Sequence, residues 1–412
     1  MIMHTLLILA DDLSGALDTA AQAAEKGIPV RVYRSPEFAG AVSGESSSVL
    51  VINTATRHHS PARARTILAE CLRRLEDIPF VYKKTDSALR GNTGAELEEL
   101  LTRRGGPIPF IPAWPDLGRT TAGGRQFLNG IPLDKTELAR DALNPVRHSF
   151  IPGVIAEQSD LPVMLVPKSP EWNRAELART LKGFTGIAVF DAENNGDLLA
   201  AADFLMEKKL LGASAGCAGF ARVLMDVIPF PPEKASAPVR PFPRRPLLVV
   251  SGSRHTASIS QLRSALENGI PGAAINGEEG ASFREEIQSC AESLADRGIC
   301  IAGTRLSMGM ENGCGKEGGA ENAARSLAKT AGGVIEKTGP VHLAVFGGDT
   351  LLCLMEALDY DYLVPEEEIE SGVVVSEAHG RHGSAYIVTK AGSFGGENLV
   401  EKIHAYYRLD EP

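Results

Sequence analysis

Short apolar runs recur along this chain, and each is closed by glycine, serine or a charged residue before a stretch with helical apolar spacing begins. In the first half, runs near 5–10, 29–33, 49–53, 79–84, 108–112, 163–166 and 186–190 predict strands, and stretches near 15–26, 61–77, 92–104, 170–183 and 196–208 predict helices. Parallel neighbours need a crossover, most often a helix, so this alternation reads as a largely parallel sheet flanked by helices. Residues 229–246, PFPPEKASAPVRPFPRRP, break the pattern: the run is dense in proline, has no apolar period, and predicts a semi-rigid extended connector. Beyond it, strands near 247–251, 299–302, 341–346, 372–376 and 385–389 alternate with helices near 256–268, 283–296, 319–336 and 349–358. The expected organisation is two α/β domains, 1–228 and 247–412, joined by the 229–246 linker, with no short-period internal repeat.

The chemistry gathers where the apolar runs stop. After the run ending at Tyr82 come Lys83, Lys84, Asp86, Ser87 and Arg90, and then Asn92 opens a helix with an acidic first turn and a basic last turn. Ligands of open α/β sheets bind outside the carboxyl ends of the strands, so these side chains are candidates to grip a small anion. The competing reading is a solvated loop with surface lysines. Residues 5–20, TLLILADDLSGALDTA, place Asp11 and Asp12 directly after another apolar run. Adjacent carboxylates repel unless a cation or a hydroxyl-rich ligand separates them, which favours a functional role over helix capping by Asp12 or Ser14.

In the second half, VHLAVFGGDTLLCLMEAL at 341–358 ends a strand in Gly347 and Gly348 and opens a helix at Asp349 and Thr350. Glycines let phosphate oxygens approach the backbone, and a helix amino terminus supplies free N–H groups and partial positive charge. An acid in that turn can cap the helix, or serve a transferring phosphoryl group as base or magnesium ligand. Ser251, Gly252 and Ser253 close a second such strand, and Lys390, Gly392, Ser393 and Gly395 a third, which suggests one shared polyanion. No G-x-x-x-x-G-K-[ST] loop is present, and the glycine-rich tract 303–319 lacks dinucleotide-loop spacing and reads as a mobile loop.

Composition changes the picture only by exclusion. A formal net charge of −10 argues against a nucleic-acid partner, while leaving room for a local basic island at Lys83, Lys84 and Arg90. Cys71, Cys217, Cys290, Cys300, Cys314 and Cys353 show neither C-x-x-C nor zinc-like spacing and read as reduced thiols. The amino-terminal apolar run is too short for a signal peptide and no run approaches a membrane span, so a cytoplasmic protein without a membrane partner is expected. His58 and His59, beside Arg57, read as solvated loop residues rather than substrate contacts.

ADDLSGALD, KKTDSALRGN, PAWPDLGRTTAGGRQFLNGIPLDKT, VFDAENNGDL, SAGCAGFA, SGSRHTASISQ, FGGDT and TKAGSFG occur in the order that resembles the four-carbon acid sugar kinase family, and they span almost the whole chain. The resemblance implies a sugar-acid-binding amino-terminal domain, a carboxyl-terminal domain binding ATP with magnesium, and an active site in the cleft between them. It carries substrate binding onto Asp12, Arg57, Lys84, Asp86, Ser87 and Arg90, with the two arginines holding the acid's carboxylate. Nucleotide binding falls on Ser251, Ser253, Gly347, Gly348, Asp349, Thr350, Gly392 and Ser393. Asp349 is the favoured base and the magnesium ligand, and Asp12 the second candidate base. The substrate would be threonate, erythronate or 3-oxo-tetronate, and a homo-oligomer is compatible with it. Ser14, Ala88, Arg254, His255, Ala391 and Ser393 depart from the family pattern, as does the stretch 376–385. A sugar-acid sensor or a lyase is the alternative, distinguished by the absence of phosphoryl transfer.

Overall fold

The computed structural model describes residues 4–37, 47–140, 145–231, 242–275, 281–310, 319–370, 372–381, 383–390, 392 and 394–408. The chain divides into two compact units, 1–233 and 234–412. Most of the expected linker, 232–241, lies outside the described residues, as do Ala391, Ser393, Cys314 and 311–318 of the glycine-rich tract.

The first unit runs β1 (Leu6–Ala10), α1 (Leu13–Ala24), β2 (Val30–Tyr33), β3 (Val49–Asn53), α2 (Pro61–Arg74), β4 (Phe80–Lys84), α3 (Thr93–Arg104) and β5 (Pro107–Ile111). A small antiparallel sheet of β6 (Arg119–Ala122), β7 (Arg125–Leu128) and β8 (Ile131–Pro132) follows, then α4 (Ile151–Ala156), β9 (Val163–Val166), α5 (Arg174–Lys182), β10 (Gly186–Phe190), α6 (Asn195–Glu207), β11 (Ala213–Gly216) and α7 (Ala218–Val227). The main sheet has the order β2-β3-β1-β4-β11-β5-β10-β9 and is parallel throughout. Strands buried on both faces read as unbroken apolar runs, and LLILA of β1 is wholly buried. Local signals set the helix starts: Ser60 caps α2 ahead of Pro61, and Asn194 and Asp197 form a capping box on α6.

The second unit runs β12 (Leu247–Ser251), α8 (Thr256–Glu267), β13 (Gly272–Ala274), α9 (Ala281–Arg297), β14 (Ile299–Gly303), α10 (Gly319–Thr338), β15 (His342–Phe346), α11 (Gly348–Ala357), β16 (Tyr360–Glu370), β17 (Val373–Gly380), β18 (Gly383–Lys390) and α12 (Leu399–Tyr406). Its order is β13-β14-β12-β15-β18-β17-β16. β12 to β15 and β18 pair in parallel, but β16, β17 and β18 form an antiparallel meander, so parallel pairing fills only part of this sheet. The atypical stretch 376–385 takes in the end of β17 and the start of β18, with His382 outside the described residues, and His379 stacks on Tyr362 at 4.8 Å.

Both sheets reverse their winding beside their first strand. The chain moves from β1 to β2 and β3 on one side, then crosses to β4 on the other; likewise β12 leads to β13 and β14 before the crossing to β15. Such a reversal opens a crevice at the strands' carboxyl ends, because adjoining loops leave in opposite directions. The loops after β1 and β4, and after β12 and β15, are the four that carry most of the expected site residues.

Candidate active site

In the first unit, Asp12 caps α1 by accepting from the Gly15 N–H at 3.0 Å, and Asp11 is buried beside it. The cation that separates them is Arg57, which follows β3. Its Nε donates to Asp11 at 2.7 Å, and its two terminal nitrogens donate to the two Asp12 oxygens at 2.8 Å each. Arg57 also lies 3.8 Å from Asp86, and Asp86 accepts from Arg90 Nε at 2.7 Å and Nη2 at 3.1 Å. The result is an alternating chain, Asp11–Arg57–Asp12 with Asp86 and Arg90 continuing from Arg57. Burial alone would raise the carboxyls of Asp11 and Asp86, but Arg57 overrides it for both, and Arg90 adds to it at Asp86, so both stay below the usual carboxylate range.

Lys83 and Lys84 part company, as neighbours on a strand must. Lys83 is fully buried and is neutralised internally by Glu96 at 3.1 Å, with further bonds to the Leu9 and Lys84 carbonyls. It leaves the set of ligand-facing cations that the sequence suggested. Lys84 reaches the amino end of α1, where it bonds the Thr85 carbonyl at 3.0 Å. Gly15 makes room for it: a β-carbon there would lie 2.7 Å from the Lys84 ammonium and 2.6 Å from Asp12 Oδ1. Ser87 is half-buried, and its carbonyl accepts from Gln126 of β7. His58 and His59 are exposed, as the sequence suggested.

Asp18, on the same face of α1 as Gly15, was not singled out by the sequence. Burial pushes its carboxyl up to about 6 and the Asp12 charge adds to this, against Lys84 and Arg119. A carboxyl whose native value lies above its unfolded value of 3.8 holds its proton more tightly when folded. Its contribution to stability is therefore full below that unfolded value and is lost as pH rises through about 6. Asp18→Asn is expected to raise Tm at neutral pH and to leave it nearly unchanged at about pH 4, as read by calorimetry at the two values. A lower Tm at neutral pH would show that the ionised carboxylate is instead a net stabiliser.

In the second unit, three loops meet at adjacent strand ends. Gly347, at φ +113°, precedes α11, and a β-carbon on it would lie 3.5 Å from the Ser253 backbone nitrogen and from Thr350 Oγ1. Gly252 is packed more tightly, since a β-carbon there would lie 2.5 Å from Thr350 Oγ1. Ser253 Oγ donates to Ser258 Oγ at 3.0 Å, and Ser258 Oγ reaches the Gly392 carbonyl at 3.4 Å. Ser251 Oγ is buried with no hydrogen-bond partner among the described residues. Lys390 Nζ bonds the carbonyls of Gly392 at 2.9 Å and Phe394 at 3.0 Å, over the Phe346 ring. Burial lowers this ammonium to about 8.

Two family departures acquire a role or a limit here. His255 caps α8, its Nδ1 accepting from the Ala257 N–H at 3.2 Å, which accounts for an imidazole where a hydroxyl is common. Ser393 lies outside the described residues. Asp349 is exposed in the first turn of α11, and the N-cap is Gly347, with no side-chain cap bond, so capping does not explain the acid. Among the described residues no group of three or more His, Cys, Asp or Glu side chains forms a metal cage. Magnesium in nucleotide sites needs only one or two carboxylates beside the phosphates, and Asp349 fits that demand. No helix among the described residues is long and apolar enough to cross a membrane. Cys71, Cys217, Cys290, Cys300 and Cys353 are free thiols.

The same division appears in comparisons with known proteins. Residues 6–224 match a family described as a sugar-binding N-terminal domain, and residues 248–400 one described as a nucleotide-binding C-terminal domain. Similar proteins include a D-threonate kinase of Salmonella typhimurium, 28% identical with 98% of each chain covered. A D-erythronate kinase of Heliobacterium modesticaldum is 29% identical over 97% of this chain and 96% of its own. A 3-oxo-tetronate kinase of Methylobacterium radiotolerans is 27% identical over 95% and 96%. The fold is shared with a solved Haemophilus influenzae protein, with a TM-score of 0.71 at 17% identity, covering 97% of this chain and 100% of that one. Matched in both halves, and over nearly its full length by its relatives, the chain belongs to the four-carbon acid sugar kinase family.

Proposed function

We propose that this chain transfers the γ-phosphoryl group of ATP to the terminal 4-hydroxyl of a four-carbon sugar acid: threonate, erythronate or 3-oxo-tetronate. The observation that supports it is the pairing of two unlike strand-end clusters. One is a charged network with carboxylates poised to accept from hydroxyls, and the other is a glycine and serine cradle at a helix amino terminus. On the sugar side the residues are Asp12, Arg57, Lys84, Asp86, Ser87 and Arg90. The nucleotide is held by Ser251, Ser253, Gly347, Gly348, Thr350, Gly392 and Ser393. The Ser251 hydroxyl, without a hydrogen-bond partner among the described residues, and the Gly347 turn beside the Ser253 backbone nitrogen suit a phosphate chain.

Phosphoryl transfer needs little covalent work from the protein, so positioning and charge neutralisation dominate. Magnesium bound there would neutralise charge on the phosphates, and Asp349 would hold it or take the proton of the attacking hydroxyl. Asp12 is the second candidate base, although Arg57 already occupies both of its oxygens.

A coupled ADP-release screen over four-carbon sugar acids tests the reading and names the substrate. One acid should give magnesium-dependent ADP release, and ADP with magnesium should raise Tm, by about 2.7 kcal/mol of stabilisation at 100 times its Kd. A sensor would show a Tm response to the acid without ADP release, and a lyase would consume the acid without ATP. Either result rejects the kinase proposal.

A further inference from the structure

Most cations at the carboxyl edge of the first sheet are already neutralised. Arg57 is committed to Asp11 and Asp12, Arg90 to Asp86, and Lys83 to Glu96. A carboxylate docking on Arg57 or Arg90 would arrive beside Asp11, Asp12 and Asp86, and like charges a few ångströms apart repel. Two cations keep donors to spare among the described residues. Lys84 also acts on Asp11 and Asp86, but its ammonium, beside Gly15, bonds a single carbonyl among the described residues, which leaves two of an ammonium's three donors. Arg119 has a buried Nε with no hydrogen-bond partner among the described residues.

Backbone geometry brings Arg119 to this edge. Its strand, β6, lies across the exits of two strands of the main sheet. Trp114, just past β5, exchanges backbone bonds with Arg119 at 2.7 and 3.0 Å, and Thr121 bridges to Ala192 beyond β10. Gln126 of the paired strand β7 is buried, accepts from Thr121 Oγ1 at 2.6 Å, and donates to the carbonyls of Pro112 at 2.9 Å and Ser87 at 3.4 Å. Arg119 and Lys84 both act electrostatically on the Asp18 carboxyl and on the Cys217 thiol.

We propose that Arg119 and Lys84 together grip the carboxylate of the sugar acid, leaving Asp12, Arg57, Asp86 and Arg90 to read its hydroxyls. The Nε edge of a guanidinium offers two parallel donors, and a buried, unspent edge gains most from a carboxylate that matches it. An ammonium beside it adds charge without demanding a fixed geometry. The stretch around Arg119 belongs to the ordered family motifs, yet sequence spacing gave it no chemical role.

The inference rests on the kinase reading, and its test separates the two. If none of the sugar acids elicits ADP release from the parent protein, the kinase reading fails before any variant is made. With an active parent, Arg119→Gln is compared for kcat, KM, ADP Kd and preference for the acid over the corresponding four-carbon sugar alcohol. The expected result is an acid KM raised about 100-fold, an ADP Kd within twofold of the parent, and loss of the acid-over-alcohol preference. An acid KM within threefold, or a surviving preference, overturns the proposal. Equal weakening of ADP also overturns it, by moving the cation to the phosphates. Should Arg119→Gln not fold, Arg119→Lys keeps the charge without the fork: a tenfold rise in acid KM supports the grip, and an unchanged KM rejects it.

Discussion

Asp349→Asn is expected to lower kcat by roughly 10²–10⁴ while moving Tm by little. Asparagine keeps the size of the side chain and most of its hydrogen-bonding capacity, so what it removes is charge and basicity. The helix does not depend on this residue for a cap, because Gly347 occupies that position and no side-chain cap bond forms. The structural contribution left to the carboxylate is its attraction to the helix amino terminus, about 0.3–1 kcal/mol at an exposed site. Steady-state kinetics with saturating ATP and sugar acid, read beside calorimetry, separate the two roles. Turnover within a few-fold of the parent would move the proton-accepting role to Asp12, and Asp12→Asn would be measured next.

Gly347→Val should abolish ATP binding in a protein that still folds. At φ +113° an L side chain is strained whatever space surrounds it, and valine's branched carbon would stand over the helix amino terminus where phosphate oxygens are expected. The neighbouring contacts are at ordinary distance, 3.5 Å from the Ser253 nitrogen and from Thr350 Oγ1, so the damage falls on the ligand more than on packing. Isothermal titration with ADP and magnesium checks this. An unchanged Kd in a folded variant would show that the turn serves the fold alone.

The strands that define both units were readable because buried parallel strands leave unbroken apolar runs, as at LLILA and LLVVS. Strand β11, ASAG, escaped notice because it contains no large apolar residue, although all of it is buried. β16, YDYLVPEEEIE, was missed because its proline and glutamates contradict strand propensity, which packing overrode. The site was half readable. Asp11, Asp12 and Arg57 were each visible as residues, but their mutual neutralisation depends on β3 lying beside β1, a pairing between segments about forty residues apart. Lys83 and Lys84 looked equivalent in the sequence, and only the alternation of the strand separates an ammonium paired with Glu96 from a buried one that reaches the amino end of α1. Asp18 and Arg119 carried no local signal, since both owe their environment to elements far away in the chain.

The alternating acid and arginine chain has a consequence for how its members can be measured. Removing one of them strands its partner's charge in a poorly solvated place, a loss of about 3–5 kcal/mol that belongs to the orphan more than to the bond. Arg90→Ala would leave Asp86 with Arg57, 3.8 Å away, and the weaker influence of Lys84, and Arg57 already serves Asp11 and Asp12. Single substitutions will therefore sum to more than the assembly is worth, and a thermodynamic double-mutant cycle on Asp86 and Arg90 should give a strongly non-additive coupling. The five side chains behave as one unit of charge balance, so a natural sequence that changes one is expected to change its partner in the same step.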